Sequence, residues 1–164
     1  MSAAAPRVAI LTVSTSRAAG TGGDESGDAL ALLARELGGE IVARDIVSDE
    51  QQLIEERLRR YCDEAHCALV LTTGGTGVAP RDVTPEATLA VAQRLVPGIA
   101  DAMRLASKEH TRHWMLSRAV SGIRGGTLII NFPGSPSSIA QVAAAIAPAL
   151  PHALALLADA PTDH

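Results

Sequence analysis

Residues 69–88 decide the fold, and they run Leu-Val-Leu-Thr-Thr-Gly-Gly-Thr-Gly-Val-Ala-Pro-Arg-Asp-Val-Thr-Pro-Glu-Ala-Thr. The apolar run at 68–71 predicts a buried parallel strand. A glycine-rich loop follows at 74–77, and a helix is then expected, with Thr84 as its N-cap and Pro85 at its first position. A strand, a glycine turn and a helix present main-chain N–H groups at the carboxyl end of the strand, where open α/β sheets bind anions.

The glycine loop (residues 74–77) differs from the common nucleotide-binding motifs. It lacks the Gly-x-Gly-x-x-Gly spacing, and no lysine follows its last glycine as a Walker A loop requires. Lys108 is the only lysine in the chain, so a phosphate bound here must be held by N–H groups, hydroxyls, arginine or a metal ion. The simpler interpretation is a tight turn that needs glycine dihedral angles. Because threonines, glycines, an arginine and an aspartate concentrate at one strand end, a ligand site is the favoured interpretation.

Composition excludes several classes of function. The formal net charge of −4 argues against a nucleic-acid binder, which needs a basic face, and Trp114, Tyr61 and Phe132 are too few aromatic residues for base stacking. The N-terminus carries no signal-peptide pattern, which predicts a cytoplasmic protein. Prolines interrupt the apolar segment at 142–158, which falls short of the roughly 20 residues that span a bilayer and is predicted to be a buried helix.

Strand and helix patterns alternate along the whole chain. Strands are predicted at 7–13, 40–47, 116–122 and 125–132, and helices at 24–37, 48–66, 85–94 and 98–111. Such alternation predicts an α/β domain, and without a repeat or linker a single domain is expected over residues 1–164.

Two other predicted strands also end in hydroxyl-rich turns. Ser14 and Arg17 follow the first strand and form a second candidate contact for an anion. An equally weighted interpretation is a solvated loop in which Asp24 or Ser26 caps the next helix. The last strand is followed by a tight turn that opens a helix, and this turn contains Pro133, Gly134 and Ser135.

Asp49 lies at the start of the helix predicted after the strand at 40–47. Ser48 and Gln51 have capping-box spacing, and a carboxylate in the first turn is favoured by the helix dipole, which alone would explain Asp49. A functional role becomes attractive because parallel strands with helical crossovers release their loops at one edge of the sheet. That edge would also carry the glycine loop.

The central motif resembles the signature of the MoaB/Mog family of molybdenum-cofactor biosynthesis proteins. It consists of Thr72-Thr73-Gly74-Gly75-Thr76-Gly77 and Arg81-Asp82-Val83-Thr84-Pro85-Glu86-Ala87. Further similar elements extend the resemblance over nearly the whole chain: Asp24-Glu25-Ser26-Gly27, Ser48-Asp49-Glu50, Ser117-Arg118 and Pro133-Gly134-Ser135-Pro136. The resemblance implies a three-layer α/β/α sandwich with a mostly parallel central sheet, usually assembled as a homotrimer.

The activity implied by the resemblance is adenylyl transfer to molybdopterin. Molybdopterin and ATP, with Mg²⁺, give adenylyl-molybdopterin and pyrophosphate before molybdate insertion, which also implies the downstream molybdate-inserting enzyme as a partner. By this analogy Asp49 and Asp82 are the catalytic carboxylates and the expected ligands of Mg²⁺. The expected substrate- or phosphate-binding residues are Ser14, Thr73, Gly74, Gly75, Thr76, Gly77, Arg81, Pro133, Gly134 and Ser135.

The residue types suit that chemistry independently of the resemblance. The attacking phosphate oxygen is already anionic near neutral pH, so the reaction needs positioning, N–H donors and Mg²⁺ more than a general base. Mg²⁺ typically takes one or two carboxylates together with phosphate oxygens, which makes Asp49 and Asp82 orienters of metal or substrate. Arg81 can offset phosphate charge, with a surface salt bridge as its alternative role.

Two positions depart from the family pattern. Ser16 precedes Arg17 where many relatives carry aspartate, and Ser137 follows Pro136 where lysine is frequent. Two alternative functions on the same fold are a non-catalytic molybdopterin-binding or carrier protein and a relative of the competence-damage-type nucleotide hydrolases. Catalysis is favoured over the carrier by the carboxylates, and the hydrolases usually have a different glycine loop.

Overall fold

A six-stranded sheet forms the centre of the computed structural model, which describes residues 4–159. The strands are β1 Arg7–Val13, β2 Glu40–Val47, β3 Leu69–Thr73, β4 Arg94–Leu95, β5 Ser121–Arg124 and β6 Thr127–Phe132. Their order across the sheet is β2-β1-β3-β6-β5-β4. The first four strands in that order are parallel, and β5 and β4 add an antiparallel edge. The predicted mostly parallel sheet is confirmed.

Helices cover both faces of the sheet. They are α1 Thr15–Ala18, α2 Glu25–Glu36, α3 Gln51–Arg59, α4 Thr84–Val91, α5 Pro97–Ser107, α6 Pro136–Ile146 and α7 Leu150–Leu157. A π-helical turn, Arg60–Glu64, extends α3, and short 3₁₀ turns lie at Trp114–Leu116 and Ala147–Ala149.

Two apolar cores separate the three layers. Because side chains alternate along a strand, Val8 and Ile10 of β1 pack in the first core, and Ala9 and Leu11 pack in the second. Buried residues from α2, α5, α6 and α7 complete the first core: Leu30, Ala31, Leu33, Met103, Ile139, Val142 and Leu150. Residues from α3 and α4 complete the second core: Ile54, Leu58, Ala87 and Val91. This is the expected α/β/α sandwich.

Several predicted element boundaries are wrong. The helix predicted at 85–94 ends at Val91, and its predicted last residue, Arg94, instead begins β4, which pairs with β5. The strand predicted at 116–122 lies instead at Ser121–Arg124, and the helix predicted to reach residue 111 ends at Ser107. The antiparallel edge depends on pairing between segments that are distant in sequence, which local patterns do not record.

The apolar C-terminal segment forms α6, a 3₁₀ turn and α7. By length and composition alone, Pro136–Leu157 is the one helical stretch among residues 4–159 that could cross a membrane. Ile139, Val142, Ile146 and Leu150 nevertheless pack into the first core, so part of this apolar surface covers the sheet. The remainder of the segment is more exposed than the predicted buried helix.

The carboxyl ends of β1 and β3 meet at a point where the chain changes direction. After β1 the chain passes through α2 on the face of the first core, whereas after β3 it passes through α4 on the face of the second core. The strand order also reverses here, because β2 lies on one side of β1 and β3 on the other. In open α/β sheets such a crevice is the usual ligand site.

Candidate active site

A cleft of about 430 Å³ opens at this edge of the sheet, beside the ends of β1 and β3. Its lining residues are Val13, Ser14, Thr15, Ser16, Asp49, Gly75, Arg81 and Asp82. The structure therefore brings five of the predicted site residues together, and they come from the loops after three different strands: Ser14, Asp49, Gly75, Arg81 and Asp82.

Asp49 is held against the loop that follows β1. Its Oδ2 accepts hydrogen bonds from the main-chain N–H and the hydroxyl of Thr15, at 3.0 and 2.8 Å. The N–H of Asp49 in turn donates to the Thr15 hydroxyl at 3.1 Å. No described side chain or main-chain group donates to Oδ1, so that oxygen is available at the cleft.

The predicted helical role of Asp49 is wrong. Helix α3 begins at Gln51 with Glu50 as its N-cap, and Ser48 donates its hydroxyl to the Glu50 side chain at 3.1 Å. The capping box expected between Ser48 and Gln51 does not form, and Asp49 lies before the helix rather than in its first turn. The helix dipole therefore does not account for its position, whereas the Thr15 contacts do.

Asp82 closes the turn that follows the glycine loop. Its Oδ2 accepts the N–H of Ala79 at 3.0 Å, and its own N–H donates to the Ala79 carbonyl at 2.9 Å. As with Asp49, its other carboxylate oxygen has no partner in the described part of the chain. Arg81 lines the same cleft, and within residues 4–159 it forms neither a salt bridge nor a hydrogen bond.

The two carboxylates match one kind of metal site. Residues 4–159 contain no cluster of three or more His, Cys, Asp or Glu side chains that could hold a metal ion by itself. Two carboxylates at one cleft, each with one oxygen unengaged, instead fit Mg²⁺, which takes one or two carboxylates and completes its octahedron with phosphate oxygens and water. Asp49 and Asp82 would hold such an ion together with a phosphorylated ligand.

Glycine is required at the start of the glycine loop. Gly74 and Gly75 have φ angles of +93° and +68°, a region that side chains rarely adopt. A Cβ on Gly74 would lie 2.3 Å from the Val13 carbonyl oxygen, and one on Gly75 would lie 2.4 Å from the Thr84 hydroxyl. The main chain here therefore approaches β1 and α4 too closely for any other residue.

All four carbonyl groups of the glycine loop accept hydrogen bonds inside the protein. The Thr84 hydroxyl donates to the Gly74 carbonyl at 2.9 Å, and the Thr84 N–H donates to the Gly75 carbonyl at 3.1 Å. The Arg118 N–H donates to the Thr76 carbonyl at 2.8 Å, and the Arg118 Nε donates to the Gly77 carbonyl at 2.7 Å. Thr84 is the first residue of α4, and Val83 is the N-cap. The prediction that Thr84 caps this helix is therefore wrong.

The N–H groups of the same peptides are left without partners. In a planar trans peptide the N–H points opposite to the carbonyl, so the N–H groups that follow these four carbonyls point away from Thr84 and Arg118. They belong to Gly75, Thr76, Gly77 and Val78. Among the described residues, none of them donates to a protein acceptor. Successive unengaged N–H groups in a turn are a typical anion-binding arrangement.

The turn after β6 lies beside the glycine loop but outside the cleft lining. Thr73 donates its hydroxyl to the Pro133 carbonyl, and Ser26 donates to the Gly134 carbonyl, both at 2.6 Å. Ser135 caps α6 by accepting the Ser138 N–H at 3.3 Å. The first two bonds join the turn after β6 to the end of β3 and to α2. They also engage the Thr73 hydroxyl, which was predicted to contact a ligand.

The loop after β1 contains both residues that cap helices and a residue that lines the cleft. Asp24 caps α2 by accepting the Gly27 N–H at 3.1 Å. Arg17 donates to the Gly23 carbonyl at 2.6 Å and is outside the lining of the cleft. Ser14 caps α1 and remains in the cleft, so this loop combines a structural and a site-lining role.

Sequence reasoning assigned no role to Arg118. The Ser117-Arg118 pair matched the family pattern, which was the only signal that could have identified it. Arg118 forms a salt bridge with Glu86 at 2.5 Å, and the hydrogen bond from its guanidinium holds the pKa of the Glu86 carboxyl below its usual value. The second oxygen of that carboxylate is buried and has no other partner within residues 4–159.

Comparison with known proteins gives consistent results. Residues 9–152 match the family model described as a probable molybdopterin binding domain. A molybdopterin adenylyltransferase of Helicobacter pylori is 49% identical over 113 residues, which cover 69% of this chain and 64% of that protein. The chain thus matches less than two thirds of the length of that relative.

Two further relatives extend this comparison. The molybdopterin adenylyltransferase of Escherichia coli K12 is 52% identical over 96 residues, covering 58% of this chain and 49% of that protein. The crystal structure of a molybdopterin biosynthesis enzyme, MoaB of Thermus thermophilus, is 43% identical with a TM-score of 0.89. That alignment covers 96% of this chain and 99% of the crystallised one.

Proposed function

Since the chain belongs to the molybdopterin-binding domain family, we propose that it transfers AMP from MgATP to the phosphate of molybdopterin. The products are adenylyl-molybdopterin and pyrophosphate. One observation carries the proposal: two carboxylates with unengaged oxygens, Asp49 and Asp82, line the same cleft as a glycine loop whose N–H groups have no described partner.

The proposed reaction is a phosphoryl-type displacement. An oxygen of the molybdopterin phosphate forms a bond to the α-phosphorus of ATP, and the bond from that phosphorus to the pyrophosphate oxygen breaks with the electron pair leaving on pyrophosphate. The nucleophile is already anionic, so the demand on the protein is to position two polyanions and to stabilise their charge.

The residues of the cleft meet that demand in different ways. The N–H groups of the glycine loop donate to phosphate oxygens, and Arg81 offsets phosphate charge. Asp49 and Asp82 hold Mg²⁺, which supplies charge neutralisation for the phosphates when bound. The contacts from Thr15 and Ala79 fix one oxygen of each carboxylate, so the other oxygen keeps its orientation before the ligand arrives.

The proposal is tested by mixing the protein with molybdopterin and MgATP and measuring pyrophosphate release. Asp82→Asn and Asp49→Asn are each expected to lower the rate by at least about a hundredfold, in line with the loss of a group that stabilises charge in the transition state. Thermal unfolding is expected to change little for Asp82→Asn, because the Asp82 carboxylate accepts a hydrogen bond only from Ala79 in its own turn. A larger decrease in stability is expected for Asp49→Asn, because the Asp49 carboxylate accepts both of its hydrogen bonds from Thr15 in the loop after β1. Asp63→Asn is the matched control, since Asp63 is an exposed carboxylate paired with Arg124 away from the cleft.

The outcomes separate the two principal hypotheses. Binding of molybdopterin without pyrophosphate release would replace catalysis with the carrier function. Unchanged turnover in Asp82→Asn, or unfolding of that variant, would remove the assignment of Asp82 as a catalytic carboxylate. Omission of Mg²⁺ is expected to abolish turnover in the unmodified protein.

The remaining expectations belong to the same proposal: a cytoplasmic homotrimer that passes its product to a molybdate-inserting enzyme. Large apolar side chains are exposed on several elements, including Val78, Leu95, Leu105 and Met115. Exposed apolar area of this kind is typical of surfaces buried between subunits. Sedimentation velocity is expected to give about three times the monomer mass.

A further inference from the structure

We propose that Arg118 and Thr84 are positioning residues, which hold the carbonyl groups of the glycine loop so that its N–H groups face the phosphates of the ligand. The inference rests on the proposed function, in which those N–H groups contact phosphate. Neither residue lines the cleft. Both act through the main chain of the loop between them and the ligand.

Arg118 donates hydrogen bonds to both the glycine loop and Asp82, which are the two ends of the segment 76–82. Its main-chain N–H and Nε donate to the carbonyls of Thr76 and Gly77, at 2.8 and 2.7 Å. Its Nη2 donates to the carbonyl of Asp82 at 2.7 Å. One side chain therefore sets the distance between the glycine loop and Asp82, with Arg81 between them in sequence.

The contacts of Arg118 need the shape of a guanidinium. Nε, Nη1 and Nη2 each donate to a different acceptor, and the third acceptor is the Glu86 carboxylate at 2.5 Å. A guanidinium is a rigid planar fork with donors in several directions, whereas a lysine ammonium is a point charge on a flexible chain. Lysine would keep the positive charge at this position but would not satisfy both carbonyls and Glu86.

Thr84 fixes the first half of the glycine loop. Its hydroxyl donates to the Gly74 carbonyl at 2.9 Å, its N–H donates to the Gly75 carbonyl at 3.1 Å, and it is fully buried. Because Thr84 lies in the first turn of α4, it ties the loop to a rigid element. Valine has the same shape but no hydroxyl, so Thr84→Val would release the Gly74 carbonyl alone.

The loop needs these restraints because of its glycines. Glycine adopts positive and negative φ angles with similar ease, so a free loop of this composition can rotate its peptide groups. A rotated peptide would turn a carbonyl oxygen, the negative end of its dipole, toward the phosphate. Hydrogen bonds to all four carbonyls oppose this rotation, which makes the anion site preorganised instead of formed by the ligand.

The experiment measures the affinity for inorganic pyrophosphate with Mg²⁺ by calorimetry, alongside kcat and KM for ATP. Arg118→Lys and Thr84→Val are expected to raise the Kd about ten- to a hundredfold, the range seen when residues that orient ligand-binding groups are removed. Thr84→Ser retains the hydroxyl and is expected to restore most of the affinity. Asp49 and Asp82 are unaltered in all of these variants.

Arg124→Lys is the matched control. Arg124 also donates from three guanidinium nitrogens, two of them to Asp63 and one to the Val91 carbonyl at 3.1 Å. It lies beside the start of β6, at the opposite edge of the sheet from the cleft. Its replacement is expected to lower thermal stability as much as Arg118→Lys does while leaving pyrophosphate affinity unchanged.

Each outcome decides the inference. A Kd within about twofold of the unmodified protein in both Arg118→Lys and Thr84→Val overturns it, because that difference is below 0.5 kcal/mol. An equal loss in Arg124→Lys, or no pyrophosphate binding by the unmodified protein, also overturns it. If only one variant weakens binding, the role of the other residue is overturned. An unmodified protein that binds pyrophosphate but does not adenylylate molybdopterin overturns the proposed function and leaves this inference intact.

Discussion

Two glycine pairs of this protein have the same sequence but use their main chains in opposite ways. Gly38 and Gly39 end α2: their N–H groups donate to the carbonyls of Arg35 and Ala34, at 2.9 and 2.8 Å. At Gly74 and Gly75 the carbonyls are engaged instead, by Thr84. The first pair satisfies the unpaired carbonyls at a helix end, and in the second the Gly75 N–H has no acceptor among the described residues.

The comparison shows that glycine content alone does not mark an anion site. Both pairs include a residue with positive φ, +74° at Gly38 and +93° at Gly74. What differs is the partner of each peptide: the N–H groups of the first pair bond to the preceding helix, whereas the carbonyls of the second pair accept from Thr84 in the helix that follows. Following the hydrogen bonds of every buried peptide therefore distinguishes the glycine loop from an ordinary helix end, whereas counting glycines does not.

The largest expected effect comes from placing alanine in each pair. Gly74→Ala combines a positive φ angle with a Cβ 2.3 Å from the Val13 carbonyl oxygen. We expect a loss of about 3 kcal/mol in unfolding free energy, or roughly 6–12 °C in Tm, together with loss of pyrophosphate binding. Calorimetric unfolding and titration measure both effects.

Gly38→Ala is the control for the backbone strain alone. Its φ angle is also positive, but a Cβ there would meet nothing within 4 Å. We expect it to cost only about 1 kcal/mol, the strain of a non-glycine residue in this region, and to bind pyrophosphate normally. If the two variants lose similar stability and both retain binding, the distinction between the two glycine pairs is wrong.

The layer architecture could be predicted because it depends on local periodicity. The buried run of β3, Leu69–Thr73, was expected at 68–71, and the crossover helices imply parallel strands and a shared sheet edge for Asp49 and the glycine loop. The antiparallel edge formed by β4 and β5 was missed as such, because a two-residue strand leaves no pattern in the sequence.

Hydrogen bonds between distant residues could not be predicted. Thr84 followed by Pro85 has the local signature of a helix N-cap, but the hydroxyl of Thr84 finds the Gly74 carbonyl instead. Arg118 has no local signal at all, since its acceptors lie on another loop and on α4. Sequence patterns predict the hydrogen bonds that a side chain makes to its neighbours along the chain. At this site the side chains of Thr84 and Arg118 bond instead to groups that the fold brings close.

A smaller effect is expected from removing the Thr76 hydroxyl in the glycine loop. Thr76 is 8% exposed, and its hydroxyl has no partner among the described residues. Thr76→Val keeps the shape and removes only the hydroxyl, so we expect Tm to stay within about 2 °C. The Kd for pyrophosphate is expected to rise roughly three- to tenfold, within the range for the loss of one typical hydrogen bond of about 0.5–1.5 kcal/mol.

Thr21→Val is the control for Thr76→Val, because Thr21 is an exposed hydroxyl in the loop after β1 and lies outside the cleft. It is expected to bind pyrophosphate as the unmodified protein does. Equal affinity in Thr76→Val would mean that the loop contacts the anion through its N–H groups alone. That result would sharpen the contrast with Gly38 and Gly39, because the main chain would then account for the whole difference.

The smallest expected effect concerns how the stability contributed by two ion pairs, Arg118–Glu86 and Arg124–Asp63, depends on pH. Arginine hydrogen bonds hold the pKa of the Glu86 and Asp63 carboxyls below their usual values. A pKa lowered by folding stabilises the protein above the pKa of the unfolded chain, about 4, and this stabilisation is lost as the pH falls through the lower folded pKa. Both pairs should therefore weaken in acid.

Glu86→Gln and Asp63→Asn compare these pairs by urea unfolding between pH 3 and 7. We expect Glu86→Gln to be less stable than the unmodified protein by at most about 1 kcal/mol at pH 7, since Glu86 and Arg118 are both more than a third exposed. The difference should shrink toward pH 3 for both variants.

Only Glu86→Gln should also weaken pyrophosphate binding, because Glu86 orients the guanidinium that holds the glycine loop. A stability difference that is equal at pH 3 and pH 7 would show that the ion pair is not its source, and equal binding in both variants would separate Glu86 from the site.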